Sequence, residues 1–185
     1  MKQTSFLFFK LLIAVMVIAN PAGSQAGTAT PIAEATTQIK NIQLMGQGYL
    51  TWWGLKVYHA QLWSATPAEQ FNYTQHAHWL QLRYHRDFKG IHIAKRSREE
   101  IEKQGIGNPK ILEAWQTQLA ELFPNIQEND TLSALYLPGQ PTQFFHNGKP
   151  IGQITDSDLS KAFMGIWLSP ATSEPQLRSQ LIGVH

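Results

Sequence analysis

The chain contains no cysteine. It can therefore carry no disulfide, no thiolate metal ligand and no cysteine nucleophile. Charge is sparse as well, at 15% of 185 residues. No apolar run reaches the ~20 residues needed to cross a bilayer as a helix. The longest, Leu11 to Ala19, follows Lys2 and Lys10 and precedes the small residues of Ser24-Gln25-Ala26. That order predicts a secretory signal over residues 1–26, cleaved after Ala26. Its loss removes Lys2 and Lys10 from 15 basic side chains and leaves 13 against 13 acidic ones. A neutral mature chain lacks the basic footprint that nucleic acid requires. No stable membrane span is expected after cleavage. Export without cysteine suits a bacterial periplasm.

Phosphate-binding glycine loops and the G-x-S-x-G nucleophile elbow are missing too. Residues 27–38, "GTATPIAEATTQ", are small and polar and read as a flexible leader. A single domain over 39–185 is expected. Ile42 to Trp53 and Leu55 to Trp63 read as strands. "HWLQLRYHR" alternates, with Leu80, Leu82 and Tyr84 on one face and Gln81, Arg83 and His85 on the other. Two helices follow. The first ends at Gly105; the second opens at Asn108-Pro109 and stops at Pro124, with an Ile111, Trp115, Leu119, Leu122 stripe. "TLSALYLPG", "TQFFH" and "PIGQI" are strands, the last two joined by the hairpin signal Asn147-Gly148. "DSDLSKAFMGIWL" and "EPQLRSQLIG" close the chain as helices, the last with Ser173 as N-cap. The order β-β-β-α-α-β-β-β-α-α predicts an α+β fold, an antiparallel sheet with helices on one face.

Few residues offer chemistry. His76 and His78 lie two apart and could share an ion, with His59 or His85 in support. Exposed loop and strand-edge histidines are the plainer reading, so no metal and no cofactor is expected. Asp156 and Asp158 sit where a helix begins and read as a cap rather than a catalytic pair. The densest feature is "GYLTWWGLKVYHAQLW", residues 48–63, with apolar bulk on both faces of its strands. It is core, and it is a site only if a cleft stays open beside it.

"GLKVYHAQLW", "LRYHRDFKG…IAKRS", "YLPG", "F…NGKPIGQI" and "AFMGIWLSPATSEPQLRSQLIG", in that order, resemble the bacterial exported branch of the chalcone isomerase-like proteins. The likeness runs from about Ile42 to Gly183. It implies an open-faced β-sandwich, a large antiparallel sheet with a helical layer and a ligand cleft between them. Plant members close a flavanone ring; others bind fatty acids without catalysis. Both use an arginine that contacts the ligand's anionic oxygen, supported by tyrosine and threonine hydroxyls. Matching the strands places that arginine near Gly48, yet no Arg or Lys occurs between Lys40 and Lys56. A ring closure would lose its chief electrostatic support.

The expected function is therefore non-catalytic binding of a small amphipathic or fatty-acid-like molecule, with Tyr49, Thr51, Tyr84 and Arg86 nearest the ligand. Two alternatives stand beside it. One is an intramolecular lyase acting on a phenolic enone. The other is a structural or partner-binding domain whose cleft is closed by Trp53, Trp63 and Trp167.

Overall fold

The computed structural model describes residues 33–183. The signal segment and the first half of the leader lie outside these residues. The leader's last part, Ala33–Gln38, forms a short helix, α1, rather than loose chain. Six strands then build one sheet in the order β1 to β6, every neighbouring pair antiparallel. They are β1 (Gln43–Trp52), β2 (Leu55–Ser64), β3 (His78–Tyr84), β4 (Thr131–Tyr136), β5 (Thr142–His146) and β6 (Lys149–Ile154). Between β3 and β4 come α2 (Gly90–Lys103) and α3 (Pro109–Leu122). After β6 come α4 (Ser157–Leu168) and α5 (Pro175–Ile182). This is the α+β architecture the element order predicts. Among the described residues, no helix is long and apolar enough to cross a membrane.

Local chemistry sets the element ends. The Asn108 side chain accepts a hydrogen bond from the Ile111 N–H, and Pro109 follows in the first turn. Asp156 caps α4 by accepting from the Asp158 and Leu159 N–H groups, and also accepts from the Trp115 indole over 2.9 Å. The carboxylate pair is thus a helix start. Asn147 and Gly148 turn with φ of 50° and 76°, as a two-residue hairpin demands. A second such hairpin joins β1 to β2 through Trp53 (φ 52°) and Gly54 (φ 76°), so Trp53 belongs to a turn and not to the strand.

Two expectations shift by a position. On α3 the inward residues are Leu112, Trp115 and Leu119, whereas Ile111 is exposed. The residue before α5 is Glu174, with no side-chain cap; the Ser173 hydroxyl instead donates to Glu100 on α2.

Strand alternation gives the sheet two different faces. Tyr58, Ala60 and Leu62 pair with Tyr84, Leu82 and Leu80, which pair onward with Leu132 and Ala134. This face joins the helices in the core. The opposite face carries Trp63, Trp79, Leu135 and Phe145, all buried. A polar row crosses it, where Gln61 donates to Gln47 over 2.9 Å and Ser133 donates to Gln81 over 3.4 Å. The stretch 48–63, read as core throughout, divides in two: the side chains of Tyr58 and of Ala60 to Trp63 are buried, whereas Tyr49, Trp52, Trp53 and Leu55 are exposed, because β1 is an edge strand and ends in the hairpin turn.

Candidate functional site

The helix-facing side of the sheet ends, toward the β1–β2 hairpin, in a row of Leu50, Tyr58 and Tyr84. The two tyrosine rings meet edge to face with centroids 5.7 Å apart, and Phe88 packs on Tyr84 at 5.5 Å. From α4, Trp167 donates its indole N–H to the Tyr58 hydroxyl over 2.9 Å. Burial drives both phenols far above their ordinary range. They are neutral hydrogen-bonding groups at any working pH. Beyond Tyr58 lies a charged cluster on the helical layer. Glu100 accepts from the Ser173 hydroxyl and pairs with Arg96 at 2.6 Å and Lys103 at 2.9 Å. Burial pushes the Glu100 carboxyl up, but these three partners together hold it below its ordinary value.

What this row can do follows from its groups. Neutral hydroxyls and an indole N–H can orient a carbonyl or a hydroxyl in apolar surroundings. Stabilising a developing anion calls for a fixed cation or several converging donors. Leu50, opposite Tyr58 on β1, is aliphatic, and no residue of β1 is a cation.

The space beside the row is filled. Leu80, Leu82, Leu132 and Phe144 from the sheet meet Phe163 and Trp167 from α4 around a gap of only ≈ 10 Å³. That is about the room one water occupies. An aromatic chain, Phe123 to Phe144 to Phe163 to Trp167, closes it with centroid spacings of 5.3–5.7 Å. Of the three tryptophans expected to fill the cleft, only Trp167 does so. Trp53 stands 88% exposed in its turn, and Trp63 lies on the opposite face of the sheet. A larger open groove of ≈ 620 Å³ runs along the edge strand, lined by residues 45–49 of β1, His59, Gln180 and Gly183.

The four expected ligand residues do not converge. Tyr84 is buried on the helix-facing side. Tyr49 is on the other side of the sheet, its ring 4.5 Å from His59 and 5.8 Å from His85, with the Lys56 ammonium 4.2 Å above it. Thr51 is exposed opposite Lys56, past a bulge that interrupts the strand's alternation. Arg86 is exposed beyond the end of β3. Tyr58, which meets Trp167 at the core, is the residue that the sequence expectation omits. The signal for Tyr58 was its place in the same period-two set as Ala60 and Leu62.

The histidines separate as well. His78, expected at an exposed edge, is fully buried and stacked on Tyr136 at 4.9 Å. Its Nδ1 lies 2.9 Å from the His76 carbonyl and its Nε2 has no partner. Burial first of all lowers its pKa to about 4. His59 is also shifted down, by burial and then by His85, Arg83 and Lys56. Among the described residues, no group of three or more His, Asp or Glu side chains could hold a metal ion.

Similarity to known proteins accords with this architecture. The chain is 29% identical over 141 residues to an uncharacterized protein of Haemophilus influenzae, spanning 76% of this chain and 68% of that one. Its fold superposes on the crystal structure of a fatty-acid binding protein of Arabidopsis thaliana with a TM-score of 0.58, at 13% identity, covering 77% of this chain and 87% of the other. Residues 22–183 match the family described as chalcone isomerase-like, and with that extent of agreement the chain belongs to the chalcone isomerase-like family.

Proposed function

We propose that this protein is a non-catalytic binder of a small amphipathic, fatty-acid-like molecule, held in the apolar layer between sheet and helices. The observation that carries this reading is the Tyr58–Tyr84–Trp167 row. It supplies neutral donors at one end of a largely apolar layer and no cation on the strand beside them. Such a row suits a polar head group in contact with hydroxyls and an apolar tail among Leu80, Leu82 and Phe163. It suits ring closure through an oxyanion poorly. Membership of a family that shares its fold with a fatty-acid binding protein supports the same direction. The signal-like residues 1–26 support export, and we place the protein's work in a bacterial periplasm.

Binding in this layer requires Phe163 and Trp167 to move, because the gap holds only ≈ 10 Å³. That same filling favours a second reading, a domain that packs its own core and works through a protein partner. Native mass spectrometry of the exported protein, with organic extraction of whatever accompanies it, separates the two. A stoichiometric amphipathic molecule is expected. An empty protein that added fatty acid fails to stabilise would transfer the assignment to the self-filled core.

A further inference from the structure

The exposed end of the β1–β2 hairpin is unlike the rest of the surface. Trp52, Trp53 and Leu55 are 68%, 88% and 53% exposed and adjoin one another around a two-residue turn. Singly exposed apolar residues need no explanation, but two indoles and a leucine at one apex do. Trp53 has φ of 52°. A bulky side chain rarely adopts that left-handed backbone, and glycine or asparagine would sit there with less strain. The folded chain offers the Trp53 ring almost no contact in return.

The charged side chains nearest His59, behind the apex, are basic. Lys56 follows Leu55 and lies over the Tyr49 ring, which joins the apex to His59. Arg83 stands opposite His59 across β2 and β3, and His85 packs near Tyr49. The charges that act on His59 are His85, Arg83 and Lys56, with no carboxylate among them. Among the described residues, neither Lys56 nor Arg83 is ion-paired to an acid.

A narrow convex apex is a poor fit to a protein interface, which spreads over ~800 Å² per partner. Tryptophan side chains, with an apolar body and a polar N–H, favour the interfacial zone of a bilayer, and lysine beside them favours anionic lipid. We propose that the hairpin apex of Trp52, Trp53 and Leu55, backed by Lys56 and Arg83, docks this protein on the surface of an anionic phospholipid bilayer. The docking stands on the hairpin alone and does not depend on any ligand in the core.

Flotation of the exported protein with vesicles of phosphatidylcholine, and of phosphatidylcholine mixed with phosphatidylglycerol, tests it. Wild type should float with the mixed vesicles. Trp52→Ser combined with Trp53→Asn should weaken that partition about tenfold or more, since two large apolar contacts are lost. Lys56→Glu should weaken binding to mixed vesicles while leaving phosphatidylcholine vesicles little changed. Should the double variant misfold, Trp53→Asn alone, which suits the turn, supplies the same comparison. Equal flotation of wild type and the tryptophan variants, or no flotation of wild type, overturns the proposal.

Discussion

The Trp167 indole and the Tyr58 hydroxyl, 109 positions apart in sequence, meet in a 2.9 Å hydrogen bond that ties α4 to β2 inside the core. Trp167→Phe keeps most of the ring volume and leaves the Tyr58 hydroxyl buried without its donor. The expected loss is about 1–3 kcal/mol in urea unfolding. Tyr58→Phe on the Trp167→Phe background should cost less than on wild type, because the orphaned partner is already gone. Additive losses would show that the bond contributes nothing specific.

His78 predicts an acid-side loss of stability. Its folded pKa of about 4 lies below the ordinary 6.5, so the unfolded chain binds a proton in that interval and the folded chain does not. The stability is complete above about 6.5 and declines as pH falls toward about 4. Replacing His78 with Phe, which can keep the stacking on Tyr136, should flatten the urea midpoint over this window. A pH profile as steep as that of wild type would remove His78 as its source.

Gly46 and Gly48 are where α5 presses on β1. A Cβ on Gly46 would collide with the backbone carbonyls of Gln180 and Leu181, and one on Gly48 with the Gln180 side-chain oxygen and Leu177. Backbone cannot yield as a side chain can. Gly46→Ala should therefore destabilise by about 1–3 kcal/mol, and Gly48→Ala by less. Thermal denaturation of the two variants checks the order.

Glu100 joins α2 to the segment that leads into α5 through Ser173. Glu100→Gln removes the charge that pairs with Arg96 and Lys103 yet keeps an acceptor for the hydroxyl. Because Arg96 and Lys103 are well exposed, the ion pairs contribute little, about 1 kcal/mol or less. Glu100→Ala, which also strips the Ser173 acceptor, should cost more, about 1–3 kcal/mol. Equal losses in the two variants would mean that charge, and not the hydroxyl contact, is what matters.

Local signals were readable where one residue's backbone or periodicity decides the outcome. Asn147-Gly148 predicts its hairpin, Asn108-Pro109 the start of α3, and Leu80, Leu82 and Tyr84 a core face. Trp53 reads as strand in the sequence because its partner in the turn is a lone Gly54 and tryptophan seldom accepts positive φ. The site was harder still. Tyr49 and Tyr84 are separated by the sheet, and which strand faces meet depends on register, including a bulge at Leu50/Thr51 that no propensity announces. The Tyr58–Trp167 contact joins elements far apart in the chain. The burial of His78 likewise depends on Phe71 and Tyr136, brought to it by tertiary packing.

The packing of α5 on β1 also imposes an order of events on folding. The β1–β2 hairpin is local in sequence, yet the surface that receives α5 at Gly46 and Gly48 stays bare until residues 175–182 dock. Throughout that interval β1 shows a stripe without side chains, a surface open to contact with another unfolded chain. Completion of the fold and the covering of this face are thus one late step, and a chaperone that shields this protein before α5 docks has its task defined by that delay.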